Sequence, residues 1–418
     1  MNRQLVLFED NKFRNFLPLT WTRPVFDLRC GSDSLGSRIQ RAYPGAGFFL
    51  ACRQFLAGPL SEKQTGASVN RLVPGQTLFV NGRLLAPPDL EERIPMDGED
   101  RVYLSGESVV AVRMHGNRLE KLVPRLGQVL RREDFPVERE EKVELPLMEY
   151  PWDLIASNPD ALLEDWEFYG NKKEKLYSAE EGVRLIEPDR ISIGRDAVIH
   201  TGAVLDATSG PVLIGEGAEI LHQAVIQGPC VIGKKALIKV GANIYGGTSV
   251  GPWSKVGGEV DASIIQGFSN KQHDGFLGHS LIGSWVNLGA GTCNSDLKNN
   301  YGPVRVFIDG DWVDSGRMFF GLLMGDHSKT AIGTLFNTGT VVGVGCNVFG
   351  QGFPPKFIPS FSWGGPQGWE VYRWDRFLET ETRVMARRQQ TLSESGREML
   401  RHIYRETADE RKKGGGES

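Results

Sequence analysis

From Ile214 onward an aliphatic side chain returns at every sixth position: Ile214, Ile220, Ile226, Ile232, Ile238, Ile244, Val250 and Val256. Gly215, Gly233, Gly251, Gly283, Gly333 and Gly343 each follow an aliphatic residue directly. A period of six fits neither a helix nor an ordinary strand, so it marks an internal repeat. Each hexad can supply one short strand and one turn, the aliphatic residue pointing inward. The glycine is expected to take a corner conformation that would strain a side chain. Three hexads close one coil of a triangular prism, and stacked coils bury a continuous aliphatic column. The second half, residues 191–350, is therefore expected to fold as a parallel β-helix.

At 418 residues the chain is too long for one ordinary core, which predicts two domains and a tail. Composition is that of a soluble protein, 40% apolar and 24% charged, and a net charge of −4 argues against nucleic acid or an anionic membrane as partner. The start, MNRQLVLFEDNKFR, has too short an apolar run for a signal peptide, and no stretch approaches a membrane span, so a cytoplasmic location is expected. Cys30, Cys52, Cys230, Cys293 and Cys346 are odd in number and scattered without a C-x-x-C pair, which disfavours a disulfide framework or a zinc knuckle.

Residues 1–145 alternate short apolar runs, at 5–8, 47–51, 78–82 and 108–112, with a helical stretch at 34–42. That pattern predicts an α/β domain with a mostly parallel sheet. Residues 146–190 read as a helical connecting arm with two amphipathic pieces. After the repeat, 351–374 is a Pro/Gly/Trp-rich wrap. Residues 375–413 read as one C-terminal helix with Phe377, Val384, Met385, Leu392, Met399, Leu400 and Ile403 on one stripe, packed on the coil end or on a neighbour, and 414–418 as a disordered tail. The six-residue register breaks at 261–281 and again at 296–317, and insertions in a solenoid become flank loops that tend to carry the site.

The densest polar run is Gly258-Glu259-Val260-Asp261 through Asn270-Lys271-Gln272-His273-Asp274-Gly275-Phe276-Leu277-Gly278-His279. It is followed by Asn287-Leu288-Gly289-Ala290-Gly291-Thr292 and Asn299-Asn300-Tyr301-Gly302. Here the chain resembles the bifunctional UDP-N-acetylglucosamine diphosphorylase/glucosamine-1-phosphate N-acetyltransferase family, whose hexapeptide β-helices wind left-handed. That family carries K-x-G-H-x-x-Y-x-G-D, then N-x-G-A-G-T, then N-Y-D-G. Counted from Glu259-Val260, its catalytic histidine falls on His273. The resemblance implies acetyl transfer from acetyl-CoA to the amine of an amino-sugar 1-phosphate, glucosamine 1-phosphate first, in a homotrimer with the cofactor groove between neighbours. A neutral imidazole can take the proton that an ammonium must lose before attacking a thioester. An N–H near Ala290 would receive the oxyanion. Asn287 would hold the sugar, and Asn300 and Tyr301 would line the cofactor groove.

Two positions depart from the family pattern. A substrate-contacting lysine becomes Asp261, and the tyrosine becomes Phe276. Lys255, Lys271, Lys298 and Arg305 are candidates for the missing cation, with Glu259 and Phe276 beside them at the substrate. In the first half the Gly-rich L-x-x-G-x-G-T-R-M is replaced by Leu5-Val6-Leu7-Phe8-Glu9-Asp10. Leu17-Pro18-Leu19-Thr20-Trp21-Thr22-Arg23-Pro24 resembles the L-x-P-L-T-x-x-x-P-K segment of sugar nucleotidyltransferases, with Val25 in place of the lysine. The resemblance makes Arg23, Asn81 and Gly82 candidate contacts for a nucleotide (UTP or dTTP) or sugar phosphate, with Mg2+ if this domain turns over. Arg23 could instead pair with Asp27 or Glu9. Two other functions remain open: a sugar-nucleotide-binding or scaffold protein with an inactive first domain, and a zinc hydratase resembling γ-class carbonic anhydrases. Against zinc, His273 and His279 have the wrong spacing, and His200 and His222 stand alone, so no metal ligand set is predicted. His327 reads as a groove or structural residue.

Overall fold

The computed structural model describes residues 3–64, 66–170 and 177–414. The first domain is one seven-stranded sheet. Its strands are β1 (Arg3–Phe8), β2 (Gly47–Ala51), β3 (Ser68–Val69), β4 (Gln76–Asn81), β5 (Arg101–Ser105), β6 (Ser108–His115) and β7 (Glu140–Lys142), in the order β3-β2-β1-β4-β6-β5-β7. Strand periodicity of two sorts β1 onto two cores: Leu5 and Leu7 join one cluster, Val6 and Phe8 another. The pairings β3-β2-β1-β4 are parallel, as predicted, but β6 runs antiparallel to both neighbours. The missed signal is Gly106-Glu107, a two-residue link that can join only antiparallel strands, with Gly106 at φ +58. On the sheet sit α1 (Leu35–Ala42), whose N-cap Ser34 accepts from the Ser37 amide, and α2 (Ala57–Lys63).

The expected arm is one helix, α3 (Pro151–Tyr169), rather than two pieces. Proline opens it, and Asp153 accepts the Tyr150 and Glu149 amides at 3.0 and 3.1 Å. It is a wedge between the domains. Asn158 accepts the Gly31 amide and donates to the Gly247 carbonyl, both at 2.7 Å, while Leu162 packs on Leu213 and Val231 of the repeat. The repeat begins earlier than expected, because Ser178–Ala179 and Arg184–Ile186 already pair in parallel with Val198–Ile199 and Val204–Asp206.

The repeat is a left-handed parallel β-helix with three faces. The first face climbs through Val198, Glu219, Leu237, Lys255 and Asn270; the second through Val204, Val225, Asn243, Glu259 and Phe276; the third carries nine strands from Ile191–Ile193 to Phe357–Ile358. Ile199, Ile220, Ile238, Ile226, Ile244, Ile232 and Val250 fill the predicted interior column.

Gly333 takes the expected left-handed corner, at φ +68, but the other hexad glycines serve a different purpose. Gly215, Gly233 and Gly251 do not adopt positive φ; the left-handed residues stand two positions later, at Gly217, Lys235 and Trp253. Instead, a Cβ on Gly233 would lie 2.7 Å from the Val250 carbonyl oxygen, and one on Gly251 would lie 2.2 Å from that of Gln266. These glycines let successive coils approach.

Of the two expected register breaks, only the second is a loop. Through 261–281 the coils continue, Lys255 pairing with Asn270 and Ile264 with Leu281, only slightly shorter than three hexads. At 296–320 a hairpin (Arg305–Ile308 with Asp311–Asp314) leaves the prism and packs its Val304, Val306 and Ile308 against Phe13, Phe16 and Leu19 of the first domain. The wrap pairs Trp363 with Asn347 as a last strand. The single C-terminal helix predicted is three: α4 (Trp374–Ala386), α5 (Glu394–Glu406) and α6 (Ala408–Gly414). Gln389 at φ +57 and the Ser393 N-cap, which accepts from Gly396 at 3.1 Å, break it. Phe377, Leu392, Met399, Leu400 and Ile403 still share one core, now with Leu56 and Leu60 of the first domain and Val344 and Phe361 of the last coils. The tail expected past Gly414 lies outside the described residues.

Candidate functional site

His273 stands at the turn between the first-face strand Asn270–Lys271 and the second-face strand Phe276–Gly278. It is exposed, and among the described residues its imidazole has no hydrogen-bond partner. Directly above lies the turn Gly289-Ala290-Gly291, the Gly291 amide donating to the Asp274 carbonyl at 2.9 Å. Regular coil stacking thus brings His273 and Ala290 onto adjacent turns. Phe276, half-buried, lies beside Glu259, which is exposed, and its amide faces Cys293 Sγ at 3.3 Å. Asn287 is on the outer side of the first face, its Oδ1 accepting from Asn270 at 3.3 Å.

The candidate cations separate. Lys271 points inward, in the column position of Val256, and donates to the Gly257 and His273 carbonyls at 2.8 and 2.7 Å. It is 4% exposed, so it holds the His273 turn and does not offer its ammonium to solvent. Burial pulls that ammonium down to about 8. Lys255 stays on the outer first face, half-buried. Lys298 donates to the Pro303 carbonyl at 2.6 Å. Arg305 sits in the hairpin, donating to the Trp312 carbonyl at 3.3 Å. With Asn300 and Tyr301, both exposed, it leaves the prism at the corner between second and third faces. Within one chain these three are not brought to His273, because the insertion springs from a different edge. Asp261 lies near that edge, its carboxyl held above the usual range by burial, with His279 opposing the shift. His279 is bound through Nδ1 to Asp296 at 2.8 Å and stacked on Phe319.

At the carboxyl end of β1, where a nucleotide phosphate would approach, the protein fills the space with its own charges. Glu9, fully buried, accepts the Val25 amide at 3.0 Å and the Arg53 amide and guanidinium at 3.2 and 3.1 Å. Asp10 and Glu149 clasp the buried Arg83 at 2.7 and 2.9 Å. Three candidates here are already engaged within the protein, two through polar atoms and one through packing. Arg23, 8% exposed, pairs with Asp326 of the β-helix and touches Ser284, instead of Asp27 or Glu9. Asn81 donates to Asp10 and to the Val109 carbonyl at 2.8 and 2.9 Å. Gly82 is packed so that a Cβ would lie 2.8 Å from Phe26.

Sequence reasoning missed a second gathering. His200 and His222 do not stand alone: they stack 4.8 Å apart on consecutive coils, and with Glu180 offer ligand atoms within 4.8 Å of one another. His200 is already held by Glu180 at 2.9 Å and Glu219 at 3.1 Å. His327 is buried against Glu381 of α4 at 2.6 Å, with Lys329 on the same carboxylate. All five cysteines are free, and among the described residues no helix is long and apolar enough to cross a membrane.

Residues 5–174 match the family described as "Sugar nucleotidyl transferase". The "Bifunctional protein GlmU" of Ralstonia nicotianae is 30% identical over 192 residues, 40% of this chain and 40% of that protein. The protein of the same name from Bartonella quintana is 26% identical over 244 residues, 54% of this chain and 53% of its own length. This chain therefore spans about half the length, or less, of those relatives. The solved UDP-N-acetylglucosamine acyltransferase of Francisella novicida shares 14% identity over 56% of this chain and 89% of its own, with a TM-score of 0.27, and adds nothing to the topology above. The first domain is thus similar to sugar nucleotidyl transferases, and about half of the chain or less is similar to bifunctional GlmU proteins.

Proposed function

We propose that the chain is a transferase of nucleotide-sugar synthesis whose β-helix moves an acetyl group from acetyl-CoA to the amine of an amino-sugar 1-phosphate, glucosamine 1-phosphate first. The observation that carries this is the free, exposed His273 with the Gly289-Ala290-Gly291 turn stacked on its own. His273 takes the proton from the sugar ammonium. The freed nitrogen attacks the thioester carbonyl, the Ala290 N–H meets the oxyanion, and the thiolate leaves. Glu259, Phe276 and Asn287 surround the acceptor. A trimer supplies the rest of the groove: Val240, Ile332 and Phe349, 59%, 79% and 37% exposed, line the same edge as His273 and need cover. Asn300, Tyr301 and Arg305 then reach the coenzyme groove from the neighbouring copy.

The first domain is the less active half. Mg2+ needs free carboxylate oxygens, and Glu9 and Asp10 are bound to arginines, so the residues at the end of β1 do not fit the ion. This favours a sugar-nucleotide-binding or scaffolding domain over nucleotidyl transfer.

The test is thiol release from acetyl-CoA with glucosamine 1-phosphate. Release supports the reading, and silence with every amino-sugar phosphate tried overturns it. In parallel, pyrophosphate release from UTP or dTTP with a sugar 1-phosphate and Mg2+ would overturn the reading of the first domain.

A further inference from the structure

On the outer first face, Glu219, Leu237, Lys255 and Asn270 pair coil to coil. Helix α4 ends against this face. The turn after it sets the Arg388 guanidinium on Asn270 Oδ1 at 2.6 Å. Beneath that turn is a hollow of about 280 Å³, lined by Lys235, Trp253, Lys255, Arg387 and Arg388, with Glu219 as the one acid in its wall. Glu219 is itself held by His200 at 3.1 Å. None of the four cations has a carboxylate partner among the described residues, although Lys235 lies over the Trp253 ring at 4.7 Å.

A solvated surface lysine would avoid such company. The Lys255 ammonium is held below its ordinary range by burial, and Arg388, Arg387 and Lys239 push it the same way. Burial and Arg387 lower the Arg388 guanidinium too. Like charges gathered in a partly desolvated hollow repel unless an anion joins them. A planar guanidinium offers two parallel donors to phosphate oxygens, and a lysine adds a point charge.

We propose that this hollow is a binding site for a phosphoryl group, a phosphate ester or diphosphate, with Arg388 and Lys255 as direct donors and Lys235 and Arg387 as flanking charges. The ligand class stands on these side chains alone. Its use in catalysis rests on the acetyl-transfer reading, because Asn270, which Arg388 holds, is three residues before His273. In that setting the C-terminal segment returns the cation that Asp261 displaced. The phosphate could belong to the acceptor sugar or to coenzyme A.

The experiment is calorimetric titration of the full chain with inorganic pyrophosphate at 0.15 M salt, for the parent, Arg388→Gln, Lys255→Gln and the exposed control Arg376→Gln. One site per chain is expected, weakened about tenfold by each of the first two changes, as befits loss of one charge-assisted bond, and unmoved by the control. Should Arg388→Gln lower the melting temperature, Lys255→Gln carries the comparison. Equal binding by parent and both variants overturns the proposal, as does a parent that binds no pyrophosphate. Displacement by glucosamine 1-phosphate assigns the site to the acceptor. Displacement by coenzyme A and not by 3′-dephospho-coenzyme A assigns it to the coenzyme. If neither displaces pyrophosphate, the link to acetyl transfer falls, and binding lost in both Arg388→Gln and Lys255→Gln still supports a phosphoryl site; binding unchanged in both marks an adventitious ion only. An enzyme inactive in acetyl transfer that still binds pyrophosphate through Arg388 removes the catalytic reading and leaves this site.

Discussion

At the end of β1, Glu9 pairs with Arg53, and Asp10 and Glu149 pair with Arg83, whereas at the His273 turn of the β-helix the imidazole has no partner among the described residues. Both places are candidates for chemistry on sequence, and both are rich in polar side chains. What separates them is burial. A buried charge must be paired or it costs several kcal/mol, so an ion network inside a domain is already spent. An exposed group on a rigid turn costs nothing to leave free and is available to a substrate. Polar density in a sequence therefore marks a site only when the fold leaves those atoms unpartnered.

The comparison can be broken most sharply at His273. His273→Ala is expected to slow acetyl transfer by roughly two to four orders of magnitude, measured as thiol release, while leaving the melting temperature unchanged. A variant as fast as its parent would place the base elsewhere. The opposite pattern is expected at the end of β1. Glu9→Ala leaves Arg53, 9% exposed, with the Thr20 and Arg23 carbonyls and no carboxylate, and should cost about 3–5 kcal/mol in denaturant unfolding. A stable Glu9→Ala protein that loses a nucleotide-dependent activity would turn that network into an active site.

The scaffold under His273 is tested more gently. Gly251→Ala places a Cβ 2.2 Å from the Gln266 carbonyl oxygen, so the coils must separate, at about 1–3 kcal/mol by overpacking. An unchanged unfolding midpoint would show that coil spacing is slack. The smallest effect is a pH slope. Burial pushes the Glu381 carboxyl up, but His327 and Lys329 more than offset it and hold it below its ordinary value. A depressed carboxylate contributes stability that is present above its unfolded value and lost as pH falls through its folded one. Urea unfolding should therefore show stability falling below about pH 4.5, by about 1.4 kcal/mol for each unit of depression. Glu381→Gln should flatten that part of the curve; an unaltered slope would assign it to other acids.

Much of the architecture is legible in the spacing of the residues. The hexad foretells the prism and its aliphatic column, because which side chain points inward depends on short-range spacing alone. The strand at 5–8 and the helix at 34–42 are legible for the same reason, through period two and the Ser34 cap. The antiparallel β6 is readable in Gly106-Glu107, a signal that the strand-and-helix alternation masked. The break in the C-terminal helix has a local signal too, in Ser393.

Spacing within a coil or two sets the repeating architecture, and the motifs around Glu259 and Asn287 carry the family likeness that singled out His273 and Ala290. Which charges are free is settled in three dimensions. Arg23 finds Asp326 at a separation of 303 residues, and Arg388 finds Asn270 at 118. Lys271 turns inward because its strand position falls on the interior column. Pairing and desolvation are set by neighbours in space, and no local period encodes them.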